Sequence, residues 1–290
     1  MYKDYIAYIS SLFIFGMNGI IASFIDLTSY EIVLFRTMIG SVTMLIIFLL
    51  TGHHFTFGKR KRDMGYQILS GMFNAGTWIF LYEGYQQIGV GITTLLSYCG
   101  PVIVILLSPV LFKEKLTFSK IMGAIIVAAG FFLLNGQMEG NTSNFYGVFC
   151  GIMAAVLFAI FVILNKKAET ITGLEKSVIQ IISCFLTVAV YVWMKQGISI
   201  QVAAEDWLPI LILGIVNTGF GAAIYYASMG KLSTQTVSVC GYIEPLSAVV
   251  FSYLILKERM TMLQIAGGIL ILGGALFAEW SSLKTEKSNK

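Results

Sequence analysis

The chain has 290 residues, 57% of them hydrophobic and 12% charged, with a formal net charge of +4 and a mean hydropathy of +0.82. So little polar surface cannot cover a soluble globule of this size, which excludes a water-soluble fold and predicts an all-α integral membrane protein. The small positive balance lies mostly in the connections between apolar runs, so it acts as an orientation signal and implies no nucleic-acid partner.

A hydrocarbon core about 30 Å thick needs about 20 apolar residues per helix. Ten runs of that kind follow one another, at about 5–24, 31–51, 65–87, 91–112, 118–135, 146–165, 175–194, 207–230, 234–256 and 261–280. They are too long and too evenly apolar for barrel strands, which alternate in stretches of about ten residues. The first run follows Lys3 without a small-residue cleavage site and reads as an uncleaved helix. The second contains Arg36, the one basic residue lying more than two residues inside a span; it either binds a carboxylate through its planar fork or lies near the surface and snorkels.

Along the third span Asn74, Trp78, Leu81, Tyr82 and Tyr85 recur at three- and four-residue spacing and form one stripe. That stripe is either an aromatic and amide wall of a central cavity or a helix-packing face. Glu83, near the end of the same helix, is expected to be solvated. The fourth span contains Tyr98 and Pro101 and ends in Lys113-Glu114; the ninth contains Gly241-Tyr242-Ile243-Glu244-Pro245 and ends in Lys257-Glu258-Arg259. Glu114 and Glu258, flanked by cations, are expected to cap, orient or gate through ion pairs. A carboxylate and a proline inside an apolar run are both costly in lipid, so Glu244-Pro245 marks function. Glu244 either pairs with Arg36, accepts a substrate amine, takes up a coupling proton, or satisfies backbone amides freed at the kink.

Gly123 and Gly130, and again Gly267 and Gly274, lie seven apart on one face, where another helix can approach closely. Packing within each half is the expectation, with a homodimer seam as the alternative. Trp207 with Pro209, and Trp280, read as interfacial anchors. All four cysteines fall in apolar runs with no CxxC pair or nearby histidine, so they read as packing residues, and neither a metal site nor a cofactor is implied.

With the N-terminus on the cytoplasmic side, the inner connections hold Lys3, Lys59 to Arg62, Lys113, Lys115, Lys120, Lys166, Lys167, Lys176, Lys231 and the tail lysines, and the outer ones only Lys195, Lys257 and Arg259. Both termini are therefore expected inside, in the cell inner (plasma) membrane.

An offset of 144 residues lays the second half on the first: Tyr82 meets Tyr226, Tyr98 meets Tyr242, Pro101 meets Pro245, Lys113-Glu114 meets Lys257-Glu258, Gly123 meets Gly267 and Gly130 meets Gly274. The halves, 1–144 and 145–290, contain five helices each. An odd number makes the second half enter from the opposite face, so the ten helices form two inverted five-helix repeats, the architecture of an alternating-access carrier with its site between the halves.

Gly84 to Leu134, with Leu95-Leu96-Ser97-Tyr98, Pro101, Lys113-Glu114-Lys115-Leu116 and Gly123…Gly130, resembles the EamA-type repeat of the drug/metabolite transporter superfamily, and Ser228 to Phe277 is its second copy. Arg36 in Leu34-Phe35-Arg36 is similar to the arginine this family carries on its second helix. Gly100 departs from the pattern, standing where a bulky apolar residue usually precedes the proline. The resemblance implies a ten-helix carrier, often an exporter of amino acids or other small metabolites, driven by a gradient and not by nucleotide hydrolysis. No GxxxxGK loop or catalytic cluster argues otherwise. The expected substrate site comprises Arg36, Asn74, Trp78, Tyr82, Tyr98, Tyr225, Tyr226, Tyr242 and Glu244, with Pro101 and Pro245 as hinges. An exporter of organic cations or drugs is the alternative.

Overall fold

A computed structural model of the chain describes residues 2–56, 61–112, 118–135, 142–197, 200–229, 231–232 and 234–288. Among these residues the structure is entirely helical. The first helical run is broken into α1 (Tyr2–Gly16) and α2 (Asn18–Ala22), followed by α3 (Ser29–Leu50) and α4 (Lys61–Ile88). The next run is again two pieces, α5 (Val90–Ser97) and α6 (Gly100–Phe112), before α7 (Phe118–Asn135), α8 (Thr142–Lys167) and α9 (Gly173–Gln196). A further run goes from α10 (Trp207–Leu211) through a π-helical segment (Ile212–Gly221) into α11 (Ala222–Met229). The run after it comprises α12 (Thr234–Gly241), α13 (Ile243–Phe251) and a π-helical end (Ser252–Leu256), and α14 (Met262–Ser288) follows.

Seven helical runs among the described residues are long and apolar enough to cross a membrane: Tyr2–Ala22, Ser29–Leu50, Val90–Pro109, Phe145–Lys167, Gly173–Gln196, Ala204–Met229 and Val239–Leu256. Phe118–Leu134 and Met262–Ala278 are shorter apolar helices. The 28-residue α4 is outside that set because Lys61, Arg62, Asp63, Gln67, Asn74 and Glu83 dilute its apolar face. The anchor expected at Trp207 is a 42% exposed ring, edge-on to Phe35 at 5.8 Å. The Lys113-Glu114 motif and the Lys59-Arg60 part of the basic block lie outside the described residues, as does the side chain of Trp280.

Proline accounts for two of the breaks. Pro101 and Pro245 have no N–H, so the carbonyls of Ser97 and Gly241 lose their helical donor. The chain tightens instead: the Cys99 amide turns to the Leu96 carbonyl at 3.1 Å, and the Tyr242 amide to that of Val239 at 3.4 Å. The break at Met17 has no proline. There the Ile14 carbonyl accepts the Met17 amide at 3.2 Å and also the side-chain amide of Asn217 at 2.7 Å, which donates further to Asn18 Oδ1 at 3.1 Å.

The packing pairs elements from the two halves. The π-helical segment Ile212–Gly221 packs on α3 as α4 packs on α9, and α1 meets α13 as α8 meets α6. Two loop contacts follow the same exchange. Asp63 accepts the Thr170 amide and hydroxyl, at 2.9 and 2.7 Å, while Asp206 accepts the Asp26 amide at 3.0 Å. The closest seam is α7 against α14, where Gly123 faces Gly274 and Gly130 faces Gly267. A Cβ on Gly130 would lie 2.6 Å from the Gly267 carbonyl oxygen, and one on Gly267 would lie 2.7 Å from that of Gly130. The glycine faces therefore join the two halves of one chain, which corrects the expectation of packing within each half. Two helices of successive passes share a short loop and can meet through larger side chains. This pair has no such tether, and its close approach depends on missing side chains.

Replacing Gly130 or Gly267 by Val should lower the apparent thermal midpoint of the detergent-purified protein, with an overpacking cost of about 1–3 kcal/mol. Gly273→Ala, on α14 with nothing within 4 Å of its added Cβ, should leave the midpoint unchanged. Equal losses at all three positions would contradict the glycine seam.

Candidate functional site

Arg36 lies in the middle of the bundle with only 3% of its surface exposed, which eliminates the snorkelling alternative. Its guanidinium carbon sits 4.3 Å from the centroid of the Trp78 ring and 5.3 Å from that of Tyr82. Nη1 donates to the Tyr82 hydroxyl, and Nε and Nη2 donate to Thr218 Oγ1 at 3.2 and 3.1 Å. A cation in hydrocarbon needs such compensation, here a π face on one side and two hydroxyls in the plane of the fork. A guanidinium has five N–H donors, so the three bonds leave two directions open.

Thr218 is itself placed by the π-helical segment. Its hydroxyl donates to the Leu213 carbonyl, five residues back, at 2.8 Å. The wide turn and the adjacent glycines bring this backbone against α3, where Gly40 faces the Thr218 side chain. The neighbouring Asn217 holds the Ile14 carbonyl at the α1 break, so consecutive residues of one turn serve the arginine and the first broken helix.

Glu244 opens the first turn of α13, just past the break at Tyr242, and is partly buried. Tyr98 and Arg36 both lie close enough to its carboxylate to interact with it electrostatically. No ion pair within 4 Å joins Arg36 and Glu244 among the described residues, whereas Lys231 and Asp4 pair at 3.2 Å. Tyr98 and Tyr242, counterparts in the repeat, face each other with ring centroids 6.3 Å apart. Tyr85 is within electrostatic reach of both charged groups, and its hydroxyl accepts from Thr94 Oγ1 at 3.4 Å.

The remaining expected residues fall around these two poles. Tyr226, the counterpart of Tyr82, lies near Ser177 where Tyr82 meets Arg36. Tyr225 lies against Tyr226, Tyr8 and Phe15 at centroid distances of 5.2, 5.3 and 5.6 Å. Asn74 is buried one turn before Trp78 on α4. Pro101 and Pro245 stand in the first turns of α6 and α13, immediately after the two breaks. Gly100, the counterpart of Glu244, is packed so tightly that a Cβ there would lie 2.9 Å from the Ala155 carbonyl oxygen. A side chain at that position is excluded on one side of the repeat, while the equivalent position on the other side holds the carboxylate.

Two expectations need correction. Glu83 is not simply solvated: it accepts the Ser29 hydroxyl at 2.6 Å and the Gln87 side-chain amide at 3.1 Å, tying α4 to the start of α3. Glu258 binds backbone amides of Val90 and Gly91 where an ion pair was expected, at 2.8 and 3.0 Å. Tyr8, Asn18, Asn217 and Thr218 also contribute, although the sequence alone does not single them out. Asn217 and Thr218 are polar residues in an apolar run, the same signal that marked Arg36.

Comparison with known proteins agrees with this architecture. A family model described as the EamA-like transporter family matches the chain twice, at residues 3–136 and 145–280. The "Uncharacterized transporter YxxF" of Bacillus subtilis (strain 168) is 25% identical over 274 residues, covering 91% of this chain and 85% of its own. The "Uncharacterized transporter YdfC" of the same organism is 26% identical, covering 94% and 88%. An "Uncharacterized transporter" of Archaeoglobus fulgidus is 25% identical, covering 75% and 79%. A protein of known crystal structure shares the fold, with a TM-score of 0.66 at 15% identity, over 96% of this chain and 98% of that one. The chain therefore belongs to the EamA-like transporter family, within the drug/metabolite transporter superfamily, and is a multi-pass membrane transporter.

Proposed function

We propose that the protein is a gradient-driven carrier for small organic metabolites bearing both a carboxylate and an amine, amino acids or close relatives, and that it works by alternating access between two inverted five-helix halves. The observation that carries this reading is the unequal pair of charges at the centre of the bundle. Arg36 is buried, stacked on Trp78 and left with two free donor directions, and Glu244 sits within electrostatic reach. A zwitterion placed between them satisfies both charges without taking a net charge into hydrocarbon. Tyr98, Tyr242, Tyr225 and Tyr226 supply aromatic faces for the rest of the solute.

Ten passes in two inverted repeats are supported by the antiparallel glycine seam. Exchanging the halves turns the Gly123–Gly274 contact into Gly267–Gly130, which is the other contact of the same seam. Such exchange fits a two-fold axis lying across the helices. The reciprocal Asp63–Thr170 and Asp206–Asp26 contacts fit the same axis. The lysine and arginine distribution supports an inner-membrane orientation with both termini cytoplasmic. Export as the direction rests on the resemblance to drug/metabolite transporters. The alternative, export of organic cations, draws on the aromatic cluster and Glu244, but a cation there meets the Arg36 charge a short way off, which favours the zwitterion.

In proteoliposomes, a panel of amino acids, amines and carboxylates should yield counterflow above empty vesicles for at least one amino acid. Transport confined to permanent cations, or to none of the panel, would defeat this assignment. Arg36→Lys should cut transport at least tenfold, because an ammonium cannot keep Trp78, Tyr82 and Thr218 while presenting a fork; unchanged rates would leave Arg36 a purely structural group.

Glu244→Gln should lower the transport rate and flatten its dependence on pH, measured as counterflow between about pH 5 and 8, the range in which a proton-coupled carboxylate of perturbed affinity exchanges. An unaltered pH profile with wild-type rate would remove Glu244 from the cycle.

A further inference from the structure

We propose that Glu258 is a latch that holds the two halves closed at one end of the bundle by gripping the start of α5, and that its release opens that end toward the site. This rests on the alternating-access reading above.

The grip is built from both sides. Glu258 lies in the short connection between the π-helical end Ser252–Leu256 and α14, in the second half, and reaches across to the first. One carboxylate oxygen accepts the Val90 amide at 2.8 Å and the other the Gly91 amide at 3.0 Å. These are two of the donors that a helix leaves unpaired at its N-terminus, where its dipole also favours an anion. Gly89, at φ +88°, permits the approach, since a Cβ there would lie 2.9 Å from a Glu258 carboxylate oxygen. On the other side Lys257 takes a left-handed conformation, φ 58° and ψ 27°, unusual for a residue with a side chain, and so delivers the next residue into place. The Glu258 amide returns to the Ser252 carbonyl at 3.2 Å.

The held element leads to the site. α5 is eight residues long, about 12 Å at 1.5 Å per residue. Its far end is the break at Tyr98, whose ring faces that of Tyr242 at 6.3 Å, two residues before Glu244. α5 also packs against α13, which begins beside Glu244. A short rigid rod with the latch at one end and the site at the other moves as a unit, so freeing its start changes how Tyr98 covers Glu244. At the opposite end of the bundle, different contacts join the halves: Asp4 with Lys231 at 3.2 Å, and the Tyr8 hydroxyl with the Val237 carbonyl at 3.0 Å. The two ends are thus closed by separate sets of contacts.

The native cysteines supply a readout that needs no solute. Cys99 lies at the α5–α6 break and is partly buried, whereas Cys150 and Cys184 are buried in helix packing. Single-cysteine proteins retaining each of the three would be labelled in vesicles with a membrane-impermeant maleimide applied at the face carrying Lys257. Glu258→Ala should raise Cys99 labelling about tenfold, the factor given by about 1.4 kcal/mol, with Cys150 and Cys184 unchanged. Glu258→Gln, which keeps one acceptor oxygen, should give a smaller rise in the same direction and carries the test if the alanine variant does not fold. Unchanged Cys99 labelling in the folded variant, or a parallel rise at Cys150 and Cys184, would overturn the latch. Absence of amino-acid counterflow with Cys99 labelling raised would instead defeat the substrate assignment and leave the latch standing.

Discussion

A backbone carbonyl or amide without a partner in hydrocarbon costs several kcal/mol, so a membrane helix can be interrupted only where other protein groups take over its hydrogen bonds. This chain interrupts its helices at Met17, at Tyr98-Cys99, at Tyr242 and along the π-helical segment from Ile212 to Gly221. Each interruption is met from elsewhere in the fold or by local tightening: Asn217 takes the Ile14 carbonyl, Thr218 takes that of Leu213, and the Cys99 and Tyr242 amides turn to residues three back. The irregular backbone and the polar side chains therefore collect in the same region. The site is where the ladder is broken because only there are enough polar groups assembled to tolerate the breaks.

On this framework the two charges differ from everything the repeat duplicates. Tyr82 and Tyr226, Tyr98 and Tyr242, and the two prolines occur in pairs and so belong to the scaffold. Arg36 has the neutral Gln180 as its counterpart and Glu244 has Gly100. The close approach of α8 at Gly100 leaves no room for a side chain, so the asymmetry is enforced by packing as well as by composition. On the proposed carrier reading, one cation and one anion set on a scaffold of paired residues favour a solute that carries both charges.

Much of this was legible in the sequence. Apolar runs of about 20 residues fix the passes. A proline or a charge inside such a run is conspicuous, which is why Arg36, Glu244, Pro101 and Pro245 stood out. The repeat was legible because a Lys-Glu pair, a proline and spaced glycines recur at one offset. What could not be read were the partners. A seven-residue glycine spacing identifies a face but not the helix that covers it, so Gly123 and Gly130 were assigned to the wrong neighbour. Thr218 lies 182 residues from Arg36, and Glu258 lies 168 from Val90; both pairings arise from how the halves dock. The break at Met17 has no proline to announce it and depends on Asn217 of the other half.

The contacts between the halves also differ in kind along the bundle. Between α7 and α14 they are largely backbone against glycine, with Ile126, Leu270 and Ala278 packed beside the glycines, and such a seam resists sliding. At the two ends, among the described residues, they include hydrogen bonds and an ion pair, Glu258 on α5 at one and Asp4 and Tyr8 on the segment from Lys231 to Val237 at the other. Hydrogen bonds at a wetted end can be exchanged for bonds to water at a small net change in free energy, whereas the glycine seam has nothing to exchange. On the proposed carrier reading, motion is therefore confined to the broken helices and the two ends, pivoting about a seam that stays closed. The site lies between those moving parts, so opening either end reaches the same Arg36 and Glu244.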